Sequence, residues 1–134
     1  MADQPFDWSE YLKLAQELGA RNEEACLRSS RSRAYYYVYN LALRRAEGNG
    51  FVVVQGESTH SQLWRLFSQS PEPECVYLGQ IALRLKDKRE KADYRRVYRR
   101  IEEEVPQVLS EAQDFAARLR RLAPRHPNPA SIRR

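Results

Sequence analysis

The stretch "RSRAYYYVYN", residues 31–40, joins cations, phenols and an amide in one short segment. Read as a helix at about 100° per residue, it almost eclipses Arg33 and Asn40, with Tyr36, Tyr37 and Arg44 flanking the same line. Guanidinium, hydroxyl and amide donors on one stripe are groups that can hold a phosphate. The other positions, Ala34, Tyr35, Val38, Tyr39, Leu41, Ala42 and Leu43, suit a core, so the stripe interrupts a mostly buried helix. A desolvated, unpaired guanidinium is costly, and Arg33 therefore requires a partner. Three arrangements satisfy it: an intramolecular pair with Asp93 or Glu57, a polar seam at a homodimer interface, or a phosphate of RNA or a nucleotide bound by Arg33, Tyr37, Asn40 and Arg44.

The elements that must position this stripe are helical. A first helix starts near Asp7, where Asp7 and Glu10 have capping-box spacing, and ends at Gly19. The second runs from Asn22 to about Glu47 and is stopped by "GNG"; its length makes it the central element. "FVVV" at 51–54 is too isolated for a sheet and reads as an extended loop packed on the helices. Ser58 or Thr59 caps a third helix with Leu63, Trp64, Leu66 and Phe67 facing inward. After the break "SPEPE", a fourth helix spans about Cys75 to Arg100, and a fifth carries Val105, Val108, Leu109, Ala112, Phe115, Ala116, Leu119 and Leu122 at helical spacing. Pro106 is expected in the first turn of that last helix. The pattern predicts an all-α, up-and-down bundle of about five helices in one domain, residues 1–123, followed by a basic, proline-containing tail, residues 124–134, expected to be disordered.

Composition narrows the chemistry. The chain has 134 residues, enough for one core, with 42% hydrophobic and 31% charged residues and only five glycines. No apolar run has the length of a membrane span and the N-terminus lacks signal-peptide character, so a cytoplasmic protein without membrane attachment is expected. Cys26 and Cys75 lack the spacing of a metal or disulfide framework, and neither a P-loop nor GxGxxG occurs; no metal or cofactor is expected. Charge is uneven: residues 1–24 hold six acids and two bases, whereas 84–100 hold nine bases and three acids. With Tyr94 and Tyr98 interleaved, that second segment could hold phosphate backbones and stack on bases, or simply form a solvated helix face.

"RSRAYYYVYNLALRR", "THSQLWRLF", "LGQIALRLKDKREKADY" and "EAQDFAARL" occur in this order over residues 25–120. Together they resemble the HEPN domain of small prokaryotic proteins of toxin–antitoxin and phage-defence systems. The resemblance implies an all-α bundle that dimerises and, in many members, a metal-independent ribonuclease. Its motif is an arginine followed by a histidine on one helix. The cation stabilises charge developing at phosphorus while the histidine moves protons. Arg33 stands at the arginine position, and Asn40 at that of the histidine. Asparagine hydrogen-bonds but exchanges no proton near neutrality, removing a contribution of about 10²- to 10⁴-fold.

In some HEPN proteins a partner nucleotidyltransferase modifies a tyrosine two residues beyond the histidine. That position is Ala42, so this regulation does not carry over. Against the family pattern, the tyrosines pack the bundle, His60 serves the start of the third helix, Arg89 and Asp93 form an ion pair, and Tyr94 packs inward. The resulting expectation is a homo- or heterodimeric subunit that binds RNA or a nucleotide, or an antitoxin or defence-effector partner. The alternatives are an active endoribonuclease toxin and a structural adaptor in a heteromeric complex.

Overall fold

Among residues 5–131, which the computed structural model describes, five α-helices follow one another: α1 (Ser9–Gly19), α2 (Glu24–Gly48), α3 (Thr59–Ser68), α4 (Pro73–Tyr94) and α5 (Ile101–Arg121). No strand occurs among the described residues, and the fold is an all-α bundle. Helix α2 touches each of the other four. Its stripe Leu27, Arg31, Ala34, Tyr35, Val38, Ala42 and Ala46 recurs at three- and four-residue intervals and is buried throughout. Trp64 and Phe67 of α3, Leu78, Ile81 and Leu85 of α4 and Phe115 of α5 complete the core. Burying side chains of this size contributes about 1.5–3 kcal/mol each.

Local chemistry sets the ends. Asp7 Oδ1 accepts from the Ser9 amide at 3.0 Å and the Ser9 hydroxyl at 2.7 Å, starting α1. Gly19 is the last helical residue of α1, and its role is close approach: a Cβ there would meet Val105 Cγ1 at 2.9 Å and Ser30 Oγ at 3.0 Å. Ser58 caps α3 by accepting from the Ser61 amide at 3.4 Å. In the extended loop before it, Phe51 packs against the core, but Val52 and Val54 are exposed, contrary to the expectation that the run packs on the helices. The Gln62 side-chain amide holds this loop by pairing both Val54 N and Val54 O at 2.8 Å.

Four further expectations give way. Helix α4 stops at Tyr94, six residues early, because the carbonyls of Ala92 and Arg95 turn to Arg28 Nη1, at 3.0 and 2.5 Å. As the last residue of the helix, Tyr94 is 77% exposed instead of packed inward. Pro106 lies beyond the first turn of α5. It and Glu102, whose carbonyl it leaves without an amide donor, are both exposed, so water can satisfy that oxygen. The tail through Ser131 also differs from the expected disorder. Arg45 donates to Leu119 O at 2.6 Å and His126 O at 3.0 Å, Asn49 Nδ2 to Pro124 O and Pro127 O, and Pro127 is buried. Carbonyls in the last turn of α5 and beyond it thus find donors at the C-terminal end of α2. Residues 132–134 lie outside the described residues.

The most constrained contact lies beneath the α4–α5 connection. The Arg31 side chain is fully buried. It donates to Glu104 and to the Tyr98 hydroxyl, approaches Lys88 O at 3.4 Å, and stacks at 4.5 Å from the Tyr98 ring centre. Tyr98 in turn donates to Glu104 Oε2 at 2.7 Å. Burial pushes the guanidinium below its ordinary pKa, and Glu104 counters that shift.

The two partners are not equivalent, because Glu104 is 39% exposed and can be hydrated if left alone. Arg31 has no such route. Glu104→Ala should therefore destabilise by about 3–5 kcal/mol, as expected when a buried charge loses its partner. Arg31→Met, which fills the same space without charge, should cost less. Urea denaturation of both variants checks the order, and a larger loss in Arg31→Met would contradict it.

Candidate functional site

The four residues of the predicted stripe do not converge. Arg33 lies about 200° around α2 from Arg31, two residues away, and so faces away from the core. It is half-buried, its guanidinium 5.1 Å from the centre of the Tyr11 ring on α1. Asn40 is buried, and its Nδ2 donates to Tyr36 O, one turn back on its own helix, at 2.8 Å. Tyr37 is buried, which raises the pKa of its hydroxyl, with Arg120 acting against that shift. Arg44 is exposed and pairs with Glu47 at 3.1 Å. Neither Asp93 nor Glu57 meets Arg33: Asp93 pairs with Arg89 at 3.2 Å and Glu57 with Arg65 at 3.3 Å. Within one chain the Arg33–Asn40 pair is a cation on an aromatic ring beside an amide engaged with backbone, without a proton carrier.

On the flank facing α3, aromatic rings gather around His60. Its ring stacks on Tyr39 at 3.9 Å between centres, and Tyr35 and Tyr36 lie 5.6 and 6.0 Å away. Arg89 covers Tyr35 and Tyr36 at 5.6 and 5.4 Å. Trp64 Nε1 donates to the Tyr35 oxygen at 3.0 Å, so the Tyr35 proton is free to go to His60 Nδ1, 2.5 Å away. With Nδ1 as the acceptor, the proton of neutral His60 stands on Nε2. His60 Nδ1 is thus engaged with Tyr35 while its ring packs on Tyr39 at the start of α3.

Among the described residues, a concentration of unpaired charge lies elsewhere. In the connection 95–100, Arg95, Arg96 and Arg99 are exposed and meet no carboxylate among the described residues. Arg100, in the left-handed conformation at φ 62°, makes only a long 3.8 Å contact to Glu103. Tyr94 and Val97 are exposed beside them. A cavity of about 510 Å³ opens here, lined by Lys91, Arg95, Val97, Tyr98, Arg99 and Glu104. A second cavity, of about 420 Å³ at the junction of α4 and α5, is closer to charge balance. Its Arg118 pairs with Glu74 and Asp114, and its His126 approaches Glu72. Neither cavity includes any of the four stripe residues.

Sequence reasoning placed the polar demand on Arg33 and overlooked Arg31. The signal was present: Leu27, Arg31, Ala34, Tyr35 and Val38 share one helical stripe, which puts Arg31 on the apolar side. Comparison with protein-family models, with curated proteins and with solved structures returns no match, so the site rests on its own geometry.

His60 makes stability depend on pH. Burial first, then the Arg89 and Lys86 charges, hold its pKa below 6.5, with Glu90 acting the other way. Protonation at Nδ1 would also remove the hydrogen bond that this nitrogen accepts from Tyr35. The folded state thus binds fewer protons than the unfolded chain just below the ordinary histidine pKa. Stability is complete above that value and declines as pH falls through it toward the lowered folded pKa. The thermal midpoint should drop between about pH 7.5 and 5, and His60→Phe should flatten that slope. An unchanged slope in the variant would exclude His60 as its source.

Proposed function

We propose that this chain is an RNA-binding HEPN-type subunit of a prokaryotic toxin–antitoxin or antiviral defence system that works without the family's proton transfer. The observation that carries the reading is the α4–α5 connection, where Arg95, Arg96 and Arg99 stand exposed without carboxylate partners among the described residues, beside exposed Tyr94. Such a ridge lowers the free energy of a phosphate backbone by releasing its counterions, while an exposed ring offers a base a face to stack on. The all-α bundle supports the resemblance at the level of architecture only. Asn40 supports a binding rather than a cutting role, because an amide cannot shuttle a proton and this one is held by Tyr36 O. Arg33 and Arg44, the two polar members of the predicted stripe that reach the surface of α2, mark the face through which a second subunit, identical or an antitoxin or effector, would dock.

Fluorescence anisotropy with a single-stranded RNA oligonucleotide tests the proposal. Binding should weaken steeply with salt. Arg95→Ala/Arg96→Ala/Arg99→Ala should reduce affinity and lower the logarithmic salt slope by about 2, as expected for three lost phosphate contacts on a single strand. No binding at low salt would overturn the reading in favour of a structural adaptor. Wild-type protein should leave total RNA intact without metal; cleavage that Arg33→Ala abolishes would instead establish an endoribonuclease.

A further inference from the structure

The cavity under this basic connection has the size and lining of a site for one nucleotide. We infer that it holds a nucleoside phosphate, either a free mononucleotide or the terminal nucleotide of an RNA strand; the inference rests on the RNA-binding reading of the same connection and adds a discrete pocket to it. At about 510 Å³ the cavity lies within the range of small-ligand sites. Its lining divides by chemistry. Arg95 and Arg99 carry charge that no carboxylate among the described residues offsets, and Lys91 shares its own with Asp87 at 2.9 Å. These cations suit a phosphate. Val97 and the Tyr98 ring form the apolar wall a base requires.

Glu104, the one acid in the lining, does not repel such a ligand as a free carboxylate would. Its Oε2 is occupied by Arg31 and Tyr98, and the second oxygen is left to accept from a ribose hydroxyl. Behind the wall, Arg28 Nη2 and Arg31 Nε are buried without a hydrogen-bond partner, so positive charge beneath the cavity is incompletely satisfied. The pocket is also held in place before any ligand arrives. Arg28 grips Ala92 O and Arg95 O, and Arg31 grips Tyr98 and Glu104, which spares the ligand the cost of ordering the loop. Arg28 and Arg31 are thus positioning residues for the site.

Calorimetric titration of the full chain with adenosine and uridine monophosphates, with inorganic phosphate, and with short RNAs bearing or lacking a 5′-phosphate tests the inference. Mononucleotides should bind more tightly than inorganic phosphate. Arg95→Ala and Arg99→Ala should each weaken them roughly tenfold, the loss expected for a charged hydrogen bond. Val97→Asp, which puts a carboxylate into the apolar wall and leaves the arginines in place, should weaken them as well. If the site takes strand ends, a 5′-phosphate should strengthen RNA binding in wild type and make no difference in Arg95→Ala/Arg99→Ala.

The outcomes separate the two readings. RNA binding without detectable mononucleotide or strand-end preference would overturn the pocket and leave the basic ridge standing. Mononucleotide binding without RNA binding would keep the pocket and overturn the RNA reading. Inorganic phosphate equal to mononucleotide, or full mononucleotide affinity in all three variants, would overturn the nucleotide site.

Discussion

A guanidinium with no access to water dictates much of this architecture. Arg31 sits in the apolar stripe of the helix that touches every other helix, and its charge must be met from within the protein. Glu104 at the start of α5, the Tyr98 hydroxyl in the preceding connection and a carbonyl near the end of α4 meet it together. Exchanging these groups for water would require opening the contact between α2 and α5. The end of α4, the course of residues 95–100 and the start of α5 are therefore tied to one atom cluster. The exposed arginines of that connection are carried on a loop whose underside is fixed, which distinguishes them from a freely moving basic tail.

The same helix presents a different chemistry on each side. Toward α3, Tyr35 passes a chain of hydrogen bonds from Trp64 to His60, and the surrounding rings and Arg89 close around it. On another side, half-buried Arg33, buried Asn40 and exposed Arg44 are each already engaged with a ring, a carbonyl or a carboxylate. A site for moving protons needs a titrating group aimed at a substrate. The histidine next to this helix's aromatic cluster, His60, has its Nδ1 engaged with the Tyr35 hydroxyl. Unpaired cations and an apolar wall come together instead around the cavity at the α4–α5 connection.

Much of this was legible along the chain. Helix positions follow from apolar residues recurring every three or four positions, and the breaks at "GNG" and "SPEPE" fall where the structure turns. The Arg89–Asp93 pair forms because both residues lie one turn apart on one helix. The basic character of residues 84–100 was visible as composition, but its division into an ion-paired helix and an unpaired loop was not. That division depends on Arg28 and Arg31 drawing carbonyls and Tyr98 away from helical continuation, from partners more than sixty residues distant.

The order of residues by itself determined the helices, their approximate lengths and the absence of a proton carrier at position 40, because these depend on neighbours within one or two turns. Which arginine is buried, where α4 ends, that Tyr94 faces water, and that the tail through Ser131 lies against α2 were decided only by tertiary structure. The physical reason is that burial belongs to a pair of surfaces rather than to a residue. Arg31 and Glu104 are 73 positions apart, and nothing local to either one states that they meet.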